Sequence, residues 1–255
     1  YLGELLGGLW ASIAIQAAAA LAALALTLKH LKLFSWPTFV ITAAAVGLAS
    51  SLPFVASFLL PDIFAGLSIL AAANLLALGD RLAIREWVFW ISILGTAVIV
   101  HPTHLALIAL FLIGAVAMRL LTKRVSFIGI LTLTFAVTIG FASESGFALV
   151  VEKILGVPVS RPPVIMARML ADGPGSAFLR DKCPQAGLVV CDFADRLVLN
   201  SDAFLWNSVD KNGVYKPAPP ETRRALGKEQ YRFAAEVLAY DPLGQIAAAL
   251  DNTAQ

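Results

Sequence analysis

The chain has 255 residues, of which 59% are apolar and only 14% charged, and its formal net charge is +2. Its mean hydropathy is +0.80. Soluble domains run near half apolar with about a quarter charged, so this balance excludes a disordered chain, a nucleic-acid-binding domain and an ordinary soluble enzyme.

Charge divides the chain into two unlike parts. Residues 1–141 hold seven Lys/Arg and four Asp/Glu, whereas residues 142–255 hold twelve and thirteen. The first part reads as a transmembrane helical domain and the second as a small, mostly helical exterior domain. The boundary falls at the small polar run Ala142-Ser143-Glu144-Ser145-Gly146. The fold class is mainly α: a polytopic bundle of about six helices, two of them short.

Six apolar runs follow in chain order. The first is Leu5 to Leu28, closed by Lys29-His30-Leu31-Lys32. Trp36 to Ser51 is the second, continued by a Pro-bearing apolar stretch to Pro61. The third, Asp62 to Leu78, ends at Asp80-Arg81 and Arg85-Glu86. Trp87 to Val100 and Leu105 to Met118 flank His101-Pro102-Thr103-His104, and Val125 to Phe141 is the sixth. The fourth and fifth runs hold about 14 residues each, or about 21 Å of helix, against the roughly 20 residues that a full span needs.

Lysine and arginine favour the cytoplasmic side of a membrane. A hairpin of two short helices puts the basic clusters at 29–32, 81–85 and 119–124 on one side, whereas one merged span would split them. The hairpin is therefore the expected topology. It places the loop 51–61, the turn 101–104 and the whole tail in one exterior compartment, the periplasm. Cys183 and Cys191 are the chain's two cysteines, both in that tail. An even pair in an exported domain reads as a disulfide. The tail has no histidine, which argues against a zinc site there.

In the tail, Pro162-Pro163 opens a helix that Gly173-Pro174-Gly175 ends, and Pro219-Pro220-Glu221 opens a longer one to about Tyr240. Leu226, Tyr231, Phe233 and Val237 repeat on the latter at helical spacing. Asp241-Pro242 caps and starts a third helix. Gly187–Val190 and Arg196–Leu199 read as extended pieces, and Phe147–Leu155 as a segment lying on the membrane surface. Both chain ends read as internal to a longer polytopic protein.

Three groups could carry chemistry. Asp62 is a carboxylate within a membrane block, a functional hypothesis by default; the alternative is a helix cap complementing the dipole. His101 and His104 lie on the same face of the membrane as Asp62. Two imidazoles and a carboxylate are ligands for a divalent metal, and the imidazoles are hydrogen-bond donors for a pyrophosphate or phosphate; the plainer reading is a polar interfacial turn. Arg168 and Asp172, near Arg161 and Arg180, read as an i, i+4 ion pair, with a groove for a phosphate or an acidic sugar as the sharper alternative. Trp206 and Tyr231 read as core or interface anchors, and Glu4 and Gln16 as polar groups of the first span. No Walker loop, Rossmann fingerprint, H-E-x-x-H or G-x-S-x-G is present.

Ser50–Phe54 with Leu60-Pro61-Asp62-Ile63-Phe64-Ala65-Gly66, the turn His101–His104, and Ala167–Gly175 with Cys183-Pro184 and Phe204-Leu205-Trp206 resemble an uncharacterised family of proteobacterial polytopic inner-membrane proteins. Through it they resemble, more loosely, the GT-C membrane glycosyltransferases. That resemblance implies a bacterial inner-membrane enzyme taking a polyprenyl-phosphate-linked sugar at the exterior face, in some members with a divalent metal. The acid that those enzymes carry just after their first span has no counterpart at that place; Asp62 is the candidate in its stead, with His101, His104 and Arg168 as ligand or phosphate contacts. The alternative is a non-catalytic accessory or scaffold subunit. Small-residue runs such as Ala17–Ala23 and Ala43–Ala49 permit close packing against other membrane subunits.

Overall fold

A computed structural model of the chain describes residues 8–58, 60–196, 200–208 and 213–254. It is helical, with no strand among the described residues. The chain divides into two compact units between Val150 and Val151.

The first unit holds α1 (Leu9–His30), α2 (Trp36–Ala49), the short α3 (Leu52–Ser57), α4 (Ile63–Leu78) with a 3-10 turn at Gly79–Arg81, α5 (Ile84–Val100), α6 (Pro102–Thr122) and all but the last five residues of α7 (Phe127–Leu155). Four segments are long and apolar enough to cross a membrane: α1, α4 with its 3-10 turn, α6 and α7. The protein is an integral membrane protein built on these helices. Leu110, Ile113 and Leu121 on α6 and Phe127, Leu131 and Phe135 on α7 lie exposed. Hydrocarbon is the environment such faces fit.

The expected hairpin forms, but its arms are longer than the apolar runs. His101 caps α6 by accepting the Thr103 backbone N–H on Nδ1, and Pro102 takes the first helical position, where its missing N–H costs nothing. Only His101 separates α5 from α6. The fifth run is therefore a full span of 21 residues. The short apolar helix is α2, whose 14 residues reach about 21 Å. The last span is also longer than expected, since α7 runs unbroken through 142–155, where the sequence suggested a span end and a surface segment.

At the centre lies α4. Its span is 44% buried within the unit, against 11% for α1, and it packs most extensively on α5. Leu67, Ala71 and Leu75 form the buried stripe of α4, against Trp90, Leu94 and Ala97 of α5. Small residues let backbones approach where hydrophobicity drives nothing in lipid. A Cβ on Gly129 of α7 would sit 2.3 Å from the Leu75 carbonyl oxygen. At the same place the Ser126 N–H donates to Leu76 O at 2.8 Å, and Ser126 Oγ accepts the Gly129 N–H at 3.0 Å.

Most side-chain hydroxyls of the bundle bond carbonyls of their own helix, such as Thr27 to Ala23 O and Thr132 to Ile128 O, but some polar bonds join helices. Asn74 Nδ2 donates to Thr27 Oγ1 at 3.2 Å, and Trp87 Nε1 to Thr132 Oγ1 at 3.0 Å. Lys29 Nζ donates to Glu86 Oε1 at 2.7 Å, joining the end of α1 to the start of α5.

The second unit holds α8 (Val164–Ala171), α9 (Pro174–Lys182), a 3-10 helix (Val189–Arg196), α10 (Ser201–Trp206), α11 (Pro220–Tyr240) and α12 (Pro242–Ala254). Gly173-Pro174-Gly175 does more than end a helix: Pro174 starts α9, and its position at N1 is the signal for that. Where the sequence suggested extended pieces, Val189–Arg196 is 3-10 helix and residues 197–199 lie outside the described set. Asp241 caps α12, its Oδ1 accepting the Gly244 N–H at 2.9 Å. The core gathers Met166, Leu170, Phe178, Phe204, Leu226 and Phe233. Tyr231 and Trp206 are exposed, not core. Cys183 and Cys191 form the expected disulfide, with Cα atoms 5.5 Å apart.

Two outcomes follow. Gly129→Ala should cost about 1–3 kcal/mol of bundle stability through overpacking, read as a lowered unfolding temperature in detergent. Gly95→Ala, where a Cβ meets nothing within 4 Å, should leave that temperature unchanged or raise it. Replacing both cysteines by serine should remove about 2–3 kcal/mol by freeing the unfolded loop; denaturant unfolding of the two forms measures it.

Candidate functional site

The two ends of the bundle differ in charge. Lys29 meets Glu86, and Asp80 Oδ1 accepts the Ile128 N–H at 3.4 Å. The ends of α1, α4 and α6 and the starts of α5 and α7 are thereby gathered at one end. All seven Lys/Arg of residues 1–141 sit there: Lys29, Lys32, Arg81, Arg85, Arg119, Lys123 and Arg124. Among the described residues up to 141, the opposite end carries no Lys or Arg and presents Asp62, His101 and His104.

His101 and His104 come together as a ring pair, centroids 5.3 Å apart and planes 40° apart. His104 is 2% exposed, and its Nδ1 lies 3.2 Å from the Ala97 carbonyl. A carbonyl only accepts, so the neutral ring carries its proton on Nδ1 and a lone pair on Nε2. His101 is the reverse. Its Nδ1 accepts the Thr103 N–H at 3.3 Å, with Thr103 Oγ1 2.6 Å away, so the neutral ring carries its proton on Nε2. One ring thus offers a donor and its neighbour an acceptor. The register that does this is set by Pro102, which starts α6 and puts the two histidines one turn apart.

Asp62 precedes α4 but does not cap it: its side chain makes no cap hydrogen bond. Asp62 is exposed. The hydrogen-bonded cap is therefore absent, while the carboxylate still stands at the positive end of the α4 dipole. Among the described residues no group of three or more His, Cys, Asp or Glu could hold a metal ion. The divalent-metal expectation for Asp62, His101 and His104 does not fit these residues.

Directly beyond Asp62, Ile63 begins the wall of an apolar groove of about 440 Å³. α1, α2, α3 and α4 line it, with Ala20, Gly47, Pro53, Gly66 and Leu70 among the contributors. From Ile63 to Leu70 it reaches about 10 Å along α4. Residue spacing gave no sign of this groove, because its walls are built from four helices. Gln16 on α1 keeps its Oε1 shielded and without a partner among the described residues. Glu4 lies outside the described residues.

In the second unit, Arg168 Nε bonds Asp172 Oδ1 at 2.9 Å, and Asn252 Nδ2 donates to the same oxygen at 3.0 Å. Arg168 also lines a polar cleft of about 450 Å³ with Asp172, Asp202 and Asp251. Three carboxylates against one guanidinium leave the cleft net negative, which disfavours an anion there. Arg161 and Arg180 do not line it.

One tail carboxylate that the sequence reading did not single out is held in an unusual setting. Glu229 on α11 accepts the N–H groups of Val189 and Val190, each at 2.8 Å. Burial pushes its carboxyl above the ordinary 4.5, more than those two bonds and Arg232 pull it down. Arg232 Nη2 donates to Ala186 O at 2.9 Å, so α11 grips both the disulfide loop and the 3-10 helix.

Searches against family models, curated proteins and solved structures found no match.

A raised folded pKa means that the folded state binds the proton more tightly than the unfolded one. The stability Glu229 contributes is present in full below 4.5 and is lost as pH rises through its folded value. Denaturant midpoints of the wild type should fall across that window, and Glu229→Gln should flatten the fall. A slope unchanged by the substitution would assign it to other groups.

Proposed function

We propose that the protein is a GT-C-like membrane glycosyltransferase, or a degenerate relative of one, acting on a polyprenyl-phosphate-linked sugar at the His101 end of the bundle. The observation that carries this reading is the pairing of an open carboxylate and two opposite imidazole tautomers with an apolar groove beginning at Ile63. A lipid-linked substrate needs both parts: an apolar slot for the chain and polar groups where the head emerges. Asp62 would take the proton of an acceptor hydroxyl as general base. His101 Nε2–H would donate to the lipid phosphate, and His104 would hold a hydroxyl through its Nε2 lone pair. No step runs through a metal.

The same reading puts the basic end in the cytoplasm and the chain in a bacterial inner membrane. On that topology the tail 142–255 is periplasmic. The disulfide supports an oxidising compartment for that unit.

A second reading has its own observation. None of the α2 residues is buried, and no atom lies within 4 Å of a Cβ built on its Gly47. A small-residue face of this kind suits a neighbouring membrane helix, so an accessory or scaffold subunit is the alternative.

The test is release of polyprenyl phosphate from polyprenyl-linked sugar donors by the purified protein. The transferase reading expects release, with Asp62→Asn lowering it at least about 100-fold and His101→Ala lowering it less. A wild-type protein inert toward every donor, yet purifying in fixed ratio with a partner that Gly47→Phe releases, would establish the subunit reading instead.

A further inference from the structure

A second groove opens between α4 and α6, and it belongs to the other half of the bundle. It has a volume of about 800 Å³, with Ala73, Leu76, Phe111, Gly114 and Met118 among its walls and Arg124 at its mouth. Its back is firm: Ala115, Val125 and Ile130 form a buried cluster with Leu76 and Leu112. Arg119 fixes the turn above by donating to Val125 O while lying over the Phe127 ring, 5.3 Å from its centroid.

Depth identifies the occupant. On α6 the groove runs from Leu107 to Met118, about 16 Å of helix. The hydrocarbon of a bilayer is about 30 Å thick, so the groove is one leaflet deep. It does not continue toward the other face. There His104 and Leu105 are buried, and α7 closes so tightly that a Cβ on Gly140 would sit 2.7 Å from Leu105 Cδ1. A helix from a partner or a second copy would need a seat across both leaflets. A lipid chain needs one. The mouth sets the headgroup: Arg124 has no ion-pair partner among the described residues and stands among Arg119 and Lys123. A guanidinium at the polar boundary is matched by a phosphate without a compensating cation.

We infer that this groove is a binding site for one anionic phospholipid of the leaflet at the basic end, its acyl chain against Gly114 and Phe111 and its phosphate on Arg124. The site lies at the opposite end from Asp62 and His101, and the inference does not rest on the transferase reading.

The probes are phosphatidylglycerol and phosphatidylcholine of identical acyl chains, titrated into the delipidated full-length protein and read by native mass spectrometry. One phosphatidylglycerol should bind at least about fivefold more tightly than phosphatidylcholine, the factor expected for one cation at the membrane surface. Arg124→Gln should abolish that preference. Gly114→Leu should weaken both lipids, because a side chain there enters open space without disturbing the fold. Arg85→Gln, an exposed cation of the same end that does not line the groove, should leave the preference intact. Equal binding of the two lipids to the wild type would overturn the inference, as would full phosphatidylglycerol affinity in Gly114→Leu. Loss of the preference in Arg85→Gln equal to that in Arg124→Gln would reduce it to a general surface charge effect. Dissociation of a wild-type dimer by Gly114→Leu would mean that a helix, not a lipid, fills the groove.

Discussion

Hydrocarbon does not solvate charge, and that constraint arranges everything else in the first unit. Seven cations in residues 1–141 must leave the interior, and a bundle of five or more apolar helices can export them at either end. Here they all go to one end, because two crossings separate each basic cluster from the next. Glu86 and Asp80 go with them. Glu86 accepts from Lys29, and Asp80 accepts from the first turn of α7, so the two acids serve as joints between helices, not as isolated charges. Among the described residues up to 141, what remains at the opposite end is a sparse set, Asp62 with His101 and His104, and sparseness is what makes it chemically distinct.

Much of this order was legible as punctuation. The runs between Lys29, Asp80, Arg119 and Lys123 mark the helix ends, and the three basic clusters choose the hairpin over a merged span. What the runs misjudge is length. Hydropathy starts the fifth run only after His104, but the helix starts at Pro102, because a capping histidine and an N1 proline interrupt the hydropathy without interrupting the fold. Likewise Ser143, Glu144 and Ser145 interrupt the hydropathy of α7 without breaking its backbone. A helix tolerates polar residues wherever it has left the hydrocarbon, and sequence gives no depth marker for that point.

The site was legible in membership and illegible in arrangement. Asp62, His101 and His104 stand out because ionisable groups are rare in residues 1–141. Whether Asp62 caps α4 could not be read from the string Pro61-Asp62-Ile63, which resembles a cap. It fails as one because Asp62 has helical backbone angles, and a capping side chain needs an extended residue from which to fold back. Asn200 before α10 shows the contrast: its backbone is extended, and its Oδ1 accepts the N–H groups of Asp202 and Ala203. The opposite tautomers of His101 and His104 were equally hidden, since they depend on which backbone groups each ring meets.

The grooves follow from the same economy of small residues. Close helix contact occurs where Gly129, Gly140 and Gly79 admit a neighbouring helix, and a Cβ at any of them would collide. Gly47, Gly66, Gly95 and Gly114 admit nothing, and three of them line grooves. A glycine costs helix stability when it makes no contact, so its presence on an open wall needs a ligand, a lipid or a partner to make use of the space. That argument separates the two grooves by what stands at their mouths. One opens beside Asp62, where a negative charge repels a bare phosphate unless His101 donates to it. The other opens beneath Arg124, where the charge alone suffices.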